Sequence, residues 1–280
     1  MEYKKITITV PPDQLSTLEY VLLRHHIQSW IEEEEPSGKG LVFFVPSEEF
    51  SDHLLESLDR DPAMPGNAVM SVECLAAEEW EHSWKAHIRI QKAGSFVIKP
   101  TWESYDPKPG EKVIELDPGM AFGTGDHATT ALCLEMIDHY VTDGSSVVDF
   151  GTGSGILALA SLYNGAARVM AIDHDPIAIS VADENLTRLG MRNRVELVTG
   201  DVTAPLEGAF DVALGNIFKR EVIELVSMKC PPLKPGGLFI ASGITIDQVE
   251  AVEKAVEEAG WQLVEKRTRD LWGALAAKKQ

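Results

Sequence analysis

The segment Val147-Val148-Asp149-Phe150-Gly151-Thr152-Gly153-Ser154-Gly155-Ile156-Leu157 constrains this chain more than any other. Two β-branched residues and an acid lead into glycines at every second position, and the apolar run Ile156 to Tyr163 follows at once. The order is that of a buried strand, a tight turn and a helix, with the turn kept bare so that a ligand can reach its backbone.

Spacing and charge narrow the choice of ligand. A dinucleotide turn needs its third glycine three positions after the second; here Gly151, Gly153 and Gly155 are two apart and position 156 is Ile. Asp149 would repel a diphosphate and attract a ligand that carries an ammonium and a sulfonium. S-adenosylmethionine is such a ligand and is the expected cofactor. Beyond the helix, Arg168 to Ile172 reads as a second buried strand ending at Asp173, whose carboxylate is placed to accept both hydroxyls of a ribose. For the glycines alone, a plain tight turn is the alternative.

A chain of 280 residues is expected to form two domains. No apolar run reaches the roughly 18 residues of a membrane span, and the alternating N-terminus is unlike a signal peptide. Cys74, Cys133 and Cys230 are far apart without metal-ligand spacing, which suits buried thiols, a reducing compartment and no metal. The cytoplasm is the expected location. A net charge of −19 argues against nucleic acid or an anionic membrane as the main partner. Residues 1–75 hold 5 basic and 14 acidic side chains. That concentration of acid is either a solubility device or a face for a basic protein.

Residues 3–10 alternate as a strand with Ile6, Ile8 and Val10 on one face. Pro11-Pro12 end it, and Asp13 is placed to cap a helix bearing Leu15, Leu18 and Leu22. His26 to Glu34 and Leu41 to Val45 read as neighbouring strands, Ser47 to Leu58 as a helix and Ala68 to Glu73 as a strand. The order β-α-β-β-α-β predicts a small ferredoxin-like α+β domain over residues 1–75. Residues 76–100 read as a connector, with Trp80 and Trp84 on one face of a short helix before an extended stretch. Those aromatics either pack on a domain or touch substrate.

The rest, residues 101–280, alternates strand and helix. Leu116 to Thr130 is rich in glycine yet carries Met120, Ala121 and Phe122, and it ends where Thr129 and Thr130 open a helix; this pattern suits a loop over a ligand. His127 is either a base or a hydrogen-bonded structural residue. Later strands are expected at 195–198, 210–214, 238–241, 261–265 and 271–277, with helices at 177–189, 221–228 and 246–259. Apolar strands alternating with helices predict a mostly parallel sheet covered on both faces, with the ligand beyond the carboxyl ends of the strands. Asp149, Asp173, Asp201 and Asn216 all fall at those ends.

These segments resemble the class I S-adenosylmethionine-dependent methyltransferases, and more narrowly the ribosomal protein L11 methyltransferase family. The similarity runs along the whole chain. It is carried by Asp117-Pro118-Gly119-Met120-Ala121-Phe122-Gly123-Thr124-Gly125-Asp126-His127, Asp149 to Leu157, Ile172-Asp173-His174-Asp175-Pro176, Asn216-Ile217, Leu233 to Gly237 and Ser242-Gly243-Ile244. The resemblance implies an α/β, Rossmann-like domain with a mostly parallel seven-stranded sheet over residues 101–280. A substrate-recognition domain at 1–75 would join it through a linker at 76–100. It implies S-adenosylmethionine held by Thr124, Thr130, Asp149, Gly151, Gly153, Asp173, Asp201 and Asn216. It also implies methyl transfer to lysine or N-terminal amines of a basic protein, ribosomal protein L11. Asn216 would orient the amine. Phe122 and Phe218 would either line the methyl channel by cation–π contact or pack in the core. The chain departs from the family at Asp126 and Ala128, where Thr and Pro are usual, and at Gly215 and Phe218, where Ala and Leu are usual. Another protein's lysine is therefore the alternative substrate, and a non-catalytic cofactor-binding protein the alternative function.

Overall fold

A computed structural model describes all residues except 1, 26, 28, 29, 36, 37, 49, 77–88, 118–126, 205, 207 and 228–231. The chain divides into two compact units, Met1–Arg89 and Ile90–Gln280.

The first unit contains β1 (Glu2–Val10), α1 (Leu15–Arg24), β2 (Ile31–Glu35), β3 (Gly38–Pro46), α2 (Asp52–Asp59) and β4 (Val69–Ala76). The strands form one antiparallel sheet in the order β2-β3-β1-β4, the ferredoxin-like arrangement. Alternation in β1 sends Ile6, Ile8 and Val10 to the helix-covered face, where they join Leu41 and Phe43 of β3 with Leu18, Val21, Leu22 and Leu58 of the helices. Local details correct the sequence expectations. Asp13 does not cap α1, because Pro12–Gln14 form a 3-10 turn and Gln14 takes the capping position without a side-chain bond. Helix α2 starts at Asp52, not Ser47, since Phe50 N–H closes a turn on the Pro46 carbonyl first. Cys74 is exposed, not buried, and accepts a 2.8 Å hydrogen bond from Lys4 Nζ. Cys133 is buried as expected, while His26, Trp80, Trp84 and Cys230 lie outside the described residues.

The second unit opens with β5 (Gln91–Ala93), β6 (Phe96–Lys99) and β7 (Lys112–Glu115), which pair as a small sheet. Residues read from sequence as a plain extended connector thus pair inside the second unit, with Phe96, Val97 and Ile98 buried. Next come α3 (Ala128–Tyr140), β8 (Ser146–Phe150), α4 (Ile156–Tyr163), β9 (Arg168–Asp173), α5 (Pro176–Arg188), β10 (Val195–Thr199) and β11 (Phe210–Asn216). The chain closes with α6 (Lys219–Ser227), β12 (Leu233–Thr245), α7 (Ile246–Glu258), β13 (Gln262–Arg269) and β14 (Trp272–Lys278). The seven-stranded sheet has the order β10-β9-β8-β11-β12-β14-β13. Neighbours from β10 to β12 are parallel, and only β14 pairs antiparallel with β12 and β13. Strand β12 is much longer than expected. Leu233 already pairs with Phe210 before the Pro235-Gly236-Gly237 segment, and the register shifts there instead of starting anew.

All five residues of β8 are buried, as a central parallel strand requires. Phe150, Phe239 and Trp261 pack with Val222, Leu225, Val252 and Val256 from α6 and α7. From β8 the chain winds outward to β10, then returns to place β11 on the other side of β8. The crevice between β8 and β11 is therefore the point where strand order reverses, where open α/β sheets bind ligands. Helix α3 is latched at its far end: Ser95 N–H and Oγ and Lys112 Nζ all donate to Asp138, and Asn164 Nδ2 donates to the Ile137 and Val141 carbonyls.

Phe239 is fully buried at the centre of this core. Phe239→Ala should destabilise the second unit by roughly 3–5 kcal/mol, read as a lower urea midpoint at unchanged slope; a shift below about 1 kcal/mol would show the ring to be dispensable.

Candidate functional site

The glycine turn is built against the tip of the neighbouring strand. Gly151 N–H and Thr152 N–H both donate to the Ile172 carbonyl, at 2.8 and 3.0 Å. Gly153 N–H donates to Asp173 Oδ2 at 2.9 Å, and Asp175 N–H to Asp173 Oδ1 at 3.1 Å. Asp173 is thus held rigidly by two backbone donors, and each oxygen keeps a lone pair for a further donor such as a hydroxyl. Asp175 caps α5 by accepting from Ile177 N–H at 2.8 Å, with Pro176 in the first helical position. The Asp-Pro pair was a legible signal of this cap, though the sequence reading began the helix one residue later.

Asp149 is completely buried. Its Oδ2 accepts from Thr152 Oγ1 at 2.7 Å, whereas Oδ1 has no hydrogen-bond partner among the described residues. Burial, with the Asp173 charge nearby, pushes its carboxyl up to about 7. Across the crevice, Asn216 ends β11 and donates from Nδ2 to Thr130 Oγ1 at 3.4 Å, leaving its own Oδ1 buried and unpartnered among the described residues. Thr130 is itself fully buried in the first turn of α3. Two buried acceptor oxygens without partners among the described residues thus stand on adjacent strands, Asn216 two positions beyond the residue paired with Asp149. Asp201 lies past the end of β10, exposed, and Thr203 N–H and Oγ1 hold its carboxyl below the usual range. Phe218 is 39% exposed just beyond Asn216, which excludes core packing for it. Phe122 and Thr124 lie outside the described residues.

Close approach of backbone positions Asn216. A Cβ on Gly243 would lie 2.4 Å from the Ile217 carbonyl oxygen, and one on Gly151 would lie 2.6 Å from Ile217 Cγ2. Both glycines have positive φ, 82° and 70°. Ile217 N–H also donates to the Ser242 carbonyl at 3.2 Å, so the residue after Asn216 is clamped from two sides. The local pattern assigns Ser242 and Gly243 no role, because a glycine facing a distant strand leaves no trace in it.

His127 has a structural task at the start of α3. Its Nδ1 sits 2.7 Å from Thr129 Oγ1 and accepts from Thr129 N–H at 3.3 Å, capping α3. Its ring meets Trp272 edge-on with centroids 4.8 Å apart, and burial pushes its pKa down to about 4. Burial thus favours the neutral ring, and Nδ1 is committed to the cap. A cleft of about 270 Å³ exists at the opposite end of the sheet, lined by Thr142, Asp143, Ser145 and Asp211. None of the candidate residues lines it, so the unsatisfied acceptors mark the site better than shape does. No group of three His, Cys, Asp or Glu suited to a metal, and no helix long and apolar enough to cross a membrane, occurs among the described residues.

The sequence profile of the ribosomal protein L11 methyltransferase (PrmA) family matches residues 20–280. The chain belongs to the ribosomal protein L11 methyltransferase family. The family member of Symbiobacterium thermophilum is 47% identical over 203 residues, 72% of this chain and 66% of that protein. That of Pelotomaculum thermopropionicum is 38% identical over 258 residues, 90% of this chain and 84% of that protein. The crystal structure of a ribosomal protein L11 methylase from Lactobacillus delbrueckii subsp. bulgaricus matches with a TM-score of 0.63 at 33% identity, covering 68% of this chain and 98% of that one. Family and fold together make this chain a class I methyltransferase.

Two outcomes test the geometry. Gly243→Ala should destabilise by roughly 2–4 kcal/mol through backbone strain and overpacking, and calorimetric unfolding at an unchanged midpoint would contradict the clamp. For His127 the folded pKa lies below the unfolded one, so its stabilisation is complete above about pH 6.5 and is lost as pH falls towards 4, by about 3 kcal/mol in all. His127→Asn keeps a capping acceptor and removes the titration. Its stability should depend less steeply on pH over that window than the wild type's; identical slopes would rule out the neutral buried imidazole.

Proposed function

We propose that this enzyme transfers methyl groups from S-adenosylmethionine to lysine side chains or the N-terminal amine of ribosomal protein L11 in the cytoplasm. The observation that carries the reading is the pair of buried acceptors, Asp149 Oδ1 and Asn216 Oδ1, left without partners at the switch point of a chain in this family. A ligand bearing an ammonium and a sulfonium supplies what those oxygens lack. Asp173, pre-oriented by Gly153 and Asp175, would take the ribose hydroxyls, with Gly151 and Gly153 leaving space along the turn. Thr130, Thr124 and Asp201 complete the proposed set of donor contacts.

The bound donor supplies an electrophilic methyl group on its sulfonium. The chain's own residues must then present an unprotonated amine along the line of displacement. A lysine with pKa about 10.4 is under roughly 1% neutral near pH 7.5, a deficit of about 4 kcal/mol, while an N-terminal amine near pKa 8 has less to overcome. Desolvation beside apolar residues favours the neutral amine. Asn216, whose Nδ2 is engaged by Thr130 while Oδ1 stays unpartnered among the described residues, would accept an N–H from that amine and orient the lone pair; such alignment can contribute roughly 7–11 kcal/mol. Phe218, and Phe122 by its place in the sequence ahead of α3, would line the methyl channel.

The first unit would recognise the basic substrate. Its edge strand β2 carries Glu32 to Glu35, and the Glu34 side chain is 83% exposed. Incubating the enzyme with labelled S-adenosylmethionine and purified ribosomal protein L11, followed by mass spectrometry, should show methylated amines on that protein. Label appearing only on another protein of a cell extract would overturn the assigned substrate, and no label at all would overturn the activity. Asn216→Ala should lower kcat by about 10²–10³ with a smaller loss of donor affinity; wild-type turnover would remove its orienting role. Neutralising Glu32 and Glu34 together should raise KM for the protein several-fold and leave donor affinity unchanged, whereas unaltered KM would place recognition elsewhere.

A further inference from the structure

Asp149 and Asp173 both stand at strand ends, yet they are supplied very differently. Asp173 receives two backbone N–H donors on its two oxygens. Asp149, with no exposure to solvent, receives Thr152 Oγ1 on one oxygen and nothing among the described residues on the other. Its surroundings do not favour a charge. The residues paired with it on β9 and β11 are Ala171 and Leu214, both buried and apolar. The titratable groups that act on it are Asp173 from β9 and the buried Cys133 thiol from α3, neither of them a cation. From helix α4 the Ala158 N–H favours the charged form only weakly, without closing a hydrogen bond on the free oxygen. A buried carboxylate so poorly provided takes up a proton, and an arriving cation reverses that preference.

We propose that Asp149 couples binding of the cationic methyl donor to loss of a proton: its carboxyl is neutral in the free enzyme and ionises when the ligand's positive charge reaches the strand ends. The inference rests on the methyl-donor reading above. The O–H bond of the carboxyl breaks, the proton leaves to solvent, and the new carboxylate faces the ligand's ammonium. The uplift of this carboxyl to about 7 by burial places the event in the physiological range. Asp149 then acts as a specificity residue, because a neutral nucleoside gives it no reason to ionise and gains nothing from it.

The test is titration calorimetry of the full-length enzyme with S-adenosylhomocysteine, which keeps the ammonium, in buffers of different ionisation enthalpy at pH 6 and pH 8. The expected result is close to one proton released per ligand at pH 6, almost none at pH 8, and affinity rising about tenfold between them. With 5′-methylthioadenosine, which lacks the ammonium, no proton should be released. Asp149→Asn should bind S-adenosylhomocysteine with no proton release and no rise in affinity. Binding of S-adenosylhomocysteine without proton release at pH 6, or equal release from Asp149→Asn, overturns the coupling while leaving the donor reading intact. Failure of S-adenosylhomocysteine to bind overturns the donor reading itself. The wild-type proton count decides the question even if Asp149→Asn does not fold.

Discussion

The hydrogen bonds that seat the glycine turn on the tip of β9 are what the rest of the second unit is arranged around. With Gly151 and Thr152 N–H on one carbonyl and Gly153 N–H on Asp173, two strand ends and a helix start become one rigid piece. Side chains in the turn would fill the space that the backbone leaves open. Without the parallel pairing of β8 and β9, the Ile172 carbonyl would not be there to receive the turn.

From that seat the chemistry follows by exclusion of water. A polar atom buried without a partner is unfavourable, and native proteins keep few of them. Here two such oxygens, on Asp149 and Asn216, lie on adjacent strands, each fixed by its second atom: Thr152 for the acid, Thr130 for the amide. Thr130 in turn depends on helix α3, capped by His127 at one end and latched through Asp138 and Asn164 at the other. Side chains fixed in this way meet the ligand's charge without first having to be moved into place.

Much of this architecture was legible locally. The boundaries of α4 and β9 match the sequence reading residue for residue, because glycines and an acid punctuate unbroken apolar runs. The ferredoxin-like order came from period-two and helical spacing in turn. Elements whose cause is remote were not legible. The strands at Phe96–Lys99 and Lys112–Glu115 are four residues each and exist by pairing with one another. The entry of β12 at Leu233 is set by Phe210 across the sheet, despite proline and glycines that locally read as a turn.

Residue types, their spacing and their charge were determined by sequence alone: a bare turn, an acid before it and acids or an amide at successive strand ends, enough to select a cationic nucleoside over a diphosphate. Only the tertiary structure decided which atoms of those residues are spent and which are left over. That both oxygens of Asp173 receive a backbone donor while one of Asp149 receives none, that His127 caps a helix, and that Gly243 presses on Ile217 all depend on which chain segments meet. Hydrogen-bond satisfaction is a property of neighbours in space, and a linear pattern carries no record of them.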